Sequence, residues 1–139
     1  MLPLQVGKRV CLQLYCYLYN CRGRDLRPRK PLEFVGRSLE ELRDFPPDAR
    51  GAAGYQLDQV QAGATPVTAK PMPEVGKGCW EIRVAEDDGW FRVFYVASLG
   101  DVIFVLHAFQ KKSNKTPGHT IETGKRRYRM AEAIAAEEE

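Results

Sequence analysis

Two groups of basic residues in this sequence could bind an anion. The first is Arg83 and Arg92, which lie in neighbouring segments rich in aromatic and β-branched residues. A guanidinium group inside a strand is ion-paired or faces an open concavity, because burying it alone is costly. Two interpretations stay open. Either Arg92 pairs with Glu81 or Glu86, or Arg83 and Arg92 converge on one solvent-open face of a sheet.

The second group follows the last strand-like segment. Residues 107–117 read HAFQKKSNKTP, and four more basic residues follow at positions 125, 126, 127 and 129. Such a run is often only solvated surface. Here it adjoins a hydrophobic strand with an exposed aromatic residue, Phe109. Cations interleaved with an aromatic ring suit phosphates and stacked bases, so the run is a candidate nucleic-acid surface.

The two histidines, His107 and His119, could in principle form an acid–base pair. His119 is predicted in the first turn of a helix, where the helix dipole disfavours its charged form. His107 lies within a strand-like segment, where we expect it to pack or to form a hydrogen bond. The sequence contains no Gly-rich phosphate loop, no HExxH motif and no nucleophile elbow.

The formal net charge of +3 is unevenly distributed over the 139 residues. Residues 1–30 carry seven Lys/Arg and one acidic residue, residues 31–104 carry seven and twelve, and residues 105–130 carry seven and one. This clustering indicates that one region is built to meet an anion. No window approaches the roughly 18 consecutive apolar residues of a membrane-spanning helix, so no membrane partner is predicted.

The first 29 residues differ in pattern from the rest of the chain. They carry Cys11, Cys16 and Cys21 at five-residue spacing, but without a CxxC pair or a nearby histidine they predict no zinc site. Together with Cys79, they are expected to be reduced thiols in the cytoplasm. We predict that residues 1–29 are a poorly ordered N-terminal extension and that the functional domain spans residues 30–139.

The first part of this domain predicts a strand and a helical hairpin. Residues 32–35 are apolar except for Glu33 and are flanked by proline and glycine, which favours a strand. Ser38 and Glu41 form a capping box that begins the first helix. Pro46-Pro47 ends this helix and begins a second one, which is predicted to end at Gly63 in the left-handed conformation.

The second part predicts an antiparallel meander and a last helix. The third of its strands is nearly continuous in apolar residues, as expected of a central strand covered on both sides. A Pro/Gly-rich loop at residues 65–78 precedes the meander. Thr116-Pro117 begins the last helix, in which Glu122 pairs with Arg126. The predicted strands of the meander are residues 79–85, 90–97 and 102–109. This order of elements is typical of a small α+β domain.

About 100 of the 139 residues resemble a known family. The motifs that carry the resemblance are KPLEFVG at residues 30–36, WEIR at 80–83, FRVFY at 91–95 and LHAFQKKS with KTP at 106–117. The last motif is the specific one. Together they are similar to the phage-derived, HigB-like branch of the RelE/ParE superfamily, the toxins of type II toxin–antitoxin pairs.

The resemblance implies a RelE-like, microbial-ribonuclease-like α+β fold with a helical hairpin, an antiparallel sheet and a C-terminal helix. It implies a cytoplasmic toxin that inhibits growth by cleaving mRNA in the ribosomal A site, without a metal or another cofactor. The 2′-hydroxyl of the RNA then attacks the adjacent phosphate, which requires a proton acceptor, a proton donor and cations around the transition state. The implied partners are the ribosome, its mRNA and a cognate helix-turn-helix antitoxin.

The resemblance also assigns roles to single residues. Arg92 and Lys111 match basic residues that stabilise transition-state charge, and Arg83 matches one that orients the scissile phosphate. Three further residues are expected to hold flanking RNA or ribosomal RNA, namely Gln110, Lys112 and Lys115.

Two positions depart from the family pattern. Glu81 stands where well-known ribonuclease members have a lysine, and Pro117 falls about where they have a catalytic tyrosine. The proton acceptor is therefore open, with Glu81 and His107 as candidates. The alternative functions are a non-enzymatic inhibitor of DNA gyrase, as for some relatives, and an inactive antitoxin-binding module.

Overall fold

The computed structural model describes residues 7–10, 29–87, 89–112 and 117–137. In these residues the strands of one sheet lie in the order β1-β2-β6-β5-β4-β3. Neighbouring strands are antiparallel, except β2 and β6, which are parallel. The strands are β1 (Gly7–Val10), β2 (Leu32–Val35), β3 (Lys70–Pro71), β4 (Cys79–Glu86), β5 (Gly89–Val96) and β6 (Ile103–Lys111). The helices are α1 (Ser38–Arg43), α2 (Pro47–Gln61) and α3 (Gly118–Glu137).

The sheet separates two hydrophobic cores, which confirms the predicted α+β class. On one side, α1 and α2 pack on the sheet, and the stripe of Ala49, Ala53 and Leu57 is fully buried. On the other side, α3 packs along β6 and β2, and Tyr128 and Ala131 join the second core. Strand β6 lies between these layers, so its apolar residues are buried from both sides, as the sequence predicts.

The predicted capping box of the first helix is wrong. The N-cap of α1 is Arg37, which forms no side-chain capping hydrogen bond. Ser38 is buried, and its Oγ donates instead to the backbone oxygen of Val105 at 3.0 Å. The reason is the tight connection from β2, where Gly36 adopts a φ of +62° that favours glycine. This turn places Ser38 against β6. The carboxylate of Glu41 contacts β6 and α3 instead of capping α1.

Two smaller predictions about residues 65–137 also need correction. The predicted loop before the meander contains the short strand β3, which pairs with β4. In α3, Glu122 lies 3.6 Å from Lys125 instead of pairing with Arg126. The helix begins at Gly118, directly after Pro117, and Thr116 lies outside the described residues.

The N-terminal region contributes one strand to the sheet. Strand β1 pairs with β2, with Gly7 opposite Val35 and Val10 opposite Leu32. Residues 1–6 and 11–28, with Cys11, Cys16 and Cys21, lie outside the described residues. The predicted division of the chain at residue 29 stays a prediction.

A β-bulge in β6 decides which way the end of this strand faces. Tyr95 lies opposite Val105 and Phe94 lies opposite His107, so Leu106 is an extra residue between the two pairs. Because successive side chains face opposite sides of a sheet, one extra residue reverses the alternation beyond it. Val105 belongs to the core of α1 and α2, whereas the odd-numbered residues after the bulge face the α3 side. These residues are His107, Phe109 and Lys111.

Candidate nucleic-acid interface

Arg83 of β4 and Arg92 of β5 lie directly opposite each other. Opposite residues of an antiparallel pair share one face, and the alternation of the apolar residues shows that this is the α3 face. Both arginines line a cavity of about 550 Å³, together with Trp90 and residues 67–70. We call the following residues the meander surface: Lys70, Glu81, Arg83, Trp90 and Arg92.

Glu81 lies against both arginines and offsets one of their two positive charges. It is only 1% exposed, and its Oε1 lies 3.3 Å from Nε of Arg83 and 3.8 Å from Nε of Arg92. Arg92 is 8% exposed and donates through Nη1 to the backbone oxygen of Phe91 at 3.0 Å. Burial lowers the pKa of Arg92, Glu81 raises it, and Arg83 lowers it further. The two interpretations of the arginines therefore combine, because Arg92 is paired with Glu81 and both arginines also face a cavity.

Two buried polar atoms of the meander surface have no hydrogen-bond partner within the described part of the chain. They are Oε2 of Glu81 and Nε of Arg92. Buried polar atoms in folded proteins are nearly always hydrogen-bonded to protein or to water, so each exception needs an explanation. Nε of Arg92 is closed to solvent and faces Oε1 of Glu81 at 3.8 Å, which is too long for a hydrogen bond, so the two groups form a loose ion pair.

Phe109 and Lys111 continue this face onto β6. Phe109 lies opposite Arg92, and Lys111 follows two residues later on the same side. The sequence suggested an exposed Phe109, but its ring is half-buried. It meets Phe94 edge-on at a centroid distance of 5.2 Å and stacks on the imidazole of His107 at 5.0 Å. Lys111 lies beside the cavity of the meander surface without lining it.

A second cavity, of about 520 Å³, lies where the end of β6 meets the first half of α3. We call it the strand-end cleft. It brings together His107, Gln110 and Lys112, which the sequence singled out, and Lys115 lies outside the described residues. The charged and titratable side chains that line it are Glu41, His107, Lys112, His119, Arg126 and Arg127.

Glu41 joins three elements at the strand-end cleft. Its Oε1 and Oε2 accept from Nη1 and Nη2 of Arg127 at 2.8 and 3.0 Å, which is a bidentate pair between α1 and α3. Oε1 also lies 2.8 Å from Nδ1 of His107 and accepts from the amide of Ala108 at 3.3 Å. Burial alone would raise the pKa of Glu41, but hydrogen bonds and charges from His107 and Arg127 lower it to about 2.

A comparison with known protein families finds a match that covers both cavities' main residues. Residues 40–129, from α1 to α3, match the phage-derived Gp49-like protein family (DUF891). The chain belongs to the Gp49-like family. This family is RelE-like and toxin-like, in agreement with the α+β fold of the chain. No curated protein matches the chain. The Gp49-like region includes the meander surface as well as Glu41 and Arg127.

Sequence reasoning includes Arg127 in the basic run without its partner, and it misses Glu41, Lys70 and Trp90 as members of the interface. Arg127 had a detectable signal, because it falls on the buried stripe of α3 and a charged residue there needs a partner. Glu41 was assigned to a helix cap, which hid its contact with Arg127. Lys70 and Trp90 had no signal, because their approach to the arginines depends on how β3 and β5 pair with β4.

Across the described ranges, no group of three His, Cys, Asp or Glu side chains is placed to hold a metal ion. No helix in that part of the chain is long and apolar enough to cross a membrane. Cys79 is a buried free thiol, and burial, with a further contribution from Glu81, raises its pKa to about 12.

Proposed function

We propose that this Gp49-like protein is the toxin of a type II toxin–antitoxin system and cleaves mRNA on the ribosome. The observation that carries the proposal is the pairing of Arg83 with Arg92 at a cavity of about 550 Å³. Two guanidinium groups opposite each other repel unless an anion is shared between them. Glu81 supplies one anion from the protein side, and a phosphate of RNA supplies a second from the cavity side.

The lining of the cavity suits single-stranded RNA. The described residues that line it include the positively charged Lys70, Arg83 and Arg92, and none of them is a carboxylate. The indole of Trp90 is 47% exposed beside them. Proteins usually bind single-stranded nucleic acids with cationic side chains along the phosphate backbone and with aromatic rings on which bases stack.

In the proposed reaction, the 2′-hydroxyl of the RNA attacks the adjacent phosphate. Arg92 and Lys111 stabilise the charge that develops on the phosphate, and Arg83 orients it. Gln110, Lys112 and Lys115 hold flanking RNA or ribosomal RNA. The proposed partner that silences the toxin is a helix-turn-helix antitoxin encoded by a neighbouring gene.

The test is translation-dependent cleavage of a reporter transcript, mapped by primer extension after a brief pulse of expression. We expect the double variant Arg92→Gln/Lys111→Gln to lose cleavage, because both cations at the phosphate are removed. The matched control is Arg43→Gln/Lys77→Gln, which removes two exposed positive charges outside both cavities and should cleave normally.

Three results would contradict parts of this proposal. Normal cleavage by Arg92→Gln/Lys111→Gln would show that the residue assignment is wrong. Intact transcripts together with inhibition of gyrase supercoiling by the wild-type protein would establish the gyrase alternative. Intact transcripts, normal supercoiling and tight binding of the neighbouring antitoxin would leave an antitoxin-binding module.

A further inference from the structure

We propose that the strand-end cleft performs the proton transfers of the cleavage reaction, with His107 as proton acceptor, His119 as proton donor and Glu41 as a positioning residue for His107. This inference rests on the proposed ribonuclease function and adds to it the acid–base groups of the site. It starts from the contacts of one imidazole ring.

The contact between His107 and Glu41 determines the tautomer of His107. The carboxylate of Glu41 holds both guanidinium nitrogens of Arg127, so it is an acceptor and cannot donate to the 2.8 Å contact with Nδ1. Nη1 of Arg127 also lies 3.3 Å from Nδ1, but its two protons are donated to Glu41 and to the backbone oxygen of Leu106. The proton of the contact with Glu41 is therefore on Nδ1 of His107. The other ring nitrogen, Nε2, then carries the lone pair of a neutral imidazole, which is the form that accepts a proton.

The position of His107 relative to the proposed phosphate site supports this role. His107 and Lys111 flank Phe109 on the same face of β6, and Arg92 lies opposite Phe109 on β5. Residues two apart on a strand are separated by roughly 7 Å, and opposite residues by about 5 Å. Arg92 lines the cavity of the meander surface, whereas Phe109 and His107 line the strand-end cleft. A phosphate held by Arg92 at the edge of its cavity that adjoins Phe109 is thus within side-chain reach of Lys111 and His107.

The rest of the strand-end cleft provides a proton donor and further cations. His119, in the first turn of α3, is exposed and lines the same cavity as His107. Lys112 and Arg126 line it too, and Glu41, the one carboxylate among its described lining residues, is paired with Arg127. The volume of about 520 Å³ lies in the range of sites that hold small organic ligands, so the cleft can take a nucleotide.

Glu81, the other candidate, is less suited to accept the proton. Its carboxylate is 1% exposed and lies between Arg83 and Arg92. Accepting a proton would remove the one negative charge that compensates these two cations. His107 can accept a proton while its contact with the ionised Glu41 is kept.

The proposed step is balanced within the RNA and the two histidines. The 2′-oxygen forms a bond to the adjacent phosphorus while the bond from phosphorus to the 5′-oxygen breaks. The 2′-hydroxyl proton moves to Nε2 of His107. The charged form of His119, which the dipole of α3 disfavours, gives a proton to the departing 5′-oxygen. The products are a 2′,3′-cyclic phosphate and a 5′-hydroxyl.

The test is single-turnover cleavage of mRNA on programmed ribosomes, with the full chain and thermal unfolding recorded for each variant. We expect His107→Ala to lower the rate constant by about 10²–10⁴-fold, as for the loss of a general base, and added imidazole to restore part of the activity. We expect Glu41→Gln to give a smaller loss. Arg43→Gln, which lies outside both cavities, should cleave at the wild-type rate.

A second substrate separates the two histidines. When the 5′-oxygen of the scissile bond is replaced by sulfur, the leaving group no longer needs a proton. His119→Gln should then cleave the sulfur substrate at the wild-type rate but fail on normal RNA, whereas His107→Ala should fail on both. His119 is exposed, so this variant is expected to fold.

The outcomes distinguish this inference from the function on which it rests. If the wild-type protein cleaves and Arg92→Gln/Lys111→Gln does not, but His107→Ala cleaves normally, the proposed function stands and the acid–base assignment is wrong. The assignment also fails if folded His107→Ala is inactive and imidazole does not rescue it. If the wild-type protein does not cleave at all, the ribonuclease function itself is refuted.

Discussion

The meander surface and the strand-end cleft each pair one carboxylate with two basic side chains. The two carboxylates differ in how completely they are hydrogen-bonded. At the cleft, both oxygens of Glu41 accept hydrogen bonds of 2.8–3.0 Å from Arg127. At the meander surface, Glu81 uses one oxygen, at 3.3 Å from Arg83 and 3.8 Å from Arg92. There, Oε2 of Glu81 and Nε of Arg92 remain buried without a hydrogen-bond partner among the described residues.

We infer from this difference that the two regions have different roles. A fully bonded polar network fixes its members, so the cleft can hold an imidazole in one tautomer and one orientation. Arg83 keeps a partly exposed side chain at the cavity, so we propose that the meander surface binds the phosphate. The following predictions change one region at a time, in order of decreasing expected effect.

The largest effect is expected from Glu81→Ala. Removing one partner of a buried ion pair leaves an uncompensated charge, here on Arg92, and we expect the free energy of unfolding to fall by about 3–5 kcal/mol. The measurement is urea unfolding at neutral pH. The control is Glu86→Ala, on the same strand and without an ion pair to Arg92. It should change the free energy of unfolding by less than about 0.5 kcal/mol.

The isosteric variant Glu81→Gln extends this comparison to activity. If His107 is the proton acceptor, folded Glu81→Gln should still cleave mRNA, because the substitution removes a structural charge and not the base. A stable Glu81→Gln protein without cleavage would instead assign the proton transfer to the meander surface and would contradict the division proposed above.

The next effect concerns the stability that Glu41 contributes at the strand-end cleft. Its pKa is lowered from 4.5 to about 2 in the folded protein, so the stabilisation is complete above about pH 4.5 and is lost as the pH falls towards 2. At neutral pH we expect the free energy of unfolding of Glu41→Gln to be roughly 3 kcal/mol lower than that of the wild type. The difference should shrink towards zero near pH 2.

The control for this prediction is Glu132→Gln on the exposed side of α3, which should follow the wild-type pH dependence. Urea unfolding between pH 2 and pH 7 provides the measurement. A difference between wild type and Glu41→Gln that is independent of pH would show that the carboxylate acts through packing and not through its charge.

The elements that carry both regions could be predicted from the sequence, because their signals are local. Pro46-Pro47 and Gly63 define the ends of α2, since proline fits the first turn of a helix and Gly63 adopts a φ of +96° after the last one. The turn between β4 and β5 sets the register that brings Arg83 opposite Arg92. Only alternation and the turn position are needed for that result.

The strand-end cleft could not be predicted in the same way, because it depends on the bulge at Leu106. Without this extra residue, simple alternation would place His107 on the side of α1 and α2, with Val105. The part of β6 before His107 is entirely apolar, so no polar position there reveals the reversal. The contact of Glu41 with Arg127 joins residues 86 positions apart and likewise has no local signal.

The smallest effect is expected at the open edge of the meander surface, where Trp90 is proposed to stack on a base. Stacking of a base on an aromatic side chain contributes about 1–3 kcal/mol. We expect Trp90→Ala to weaken binding of a fluorescein-labelled single-stranded RNA about tenfold, or ~1.4 kcal/mol, at constant salt in fluorescence anisotropy.

Tyr55 of α2 provides a matched control on the other side of the sheet, because it is 48% exposed and Trp90 is 47% exposed. Equal losses for Tyr55→Ala and Trp90→Ala would mean that exposed aromatic area, and not the cationic cavity, determines RNA binding.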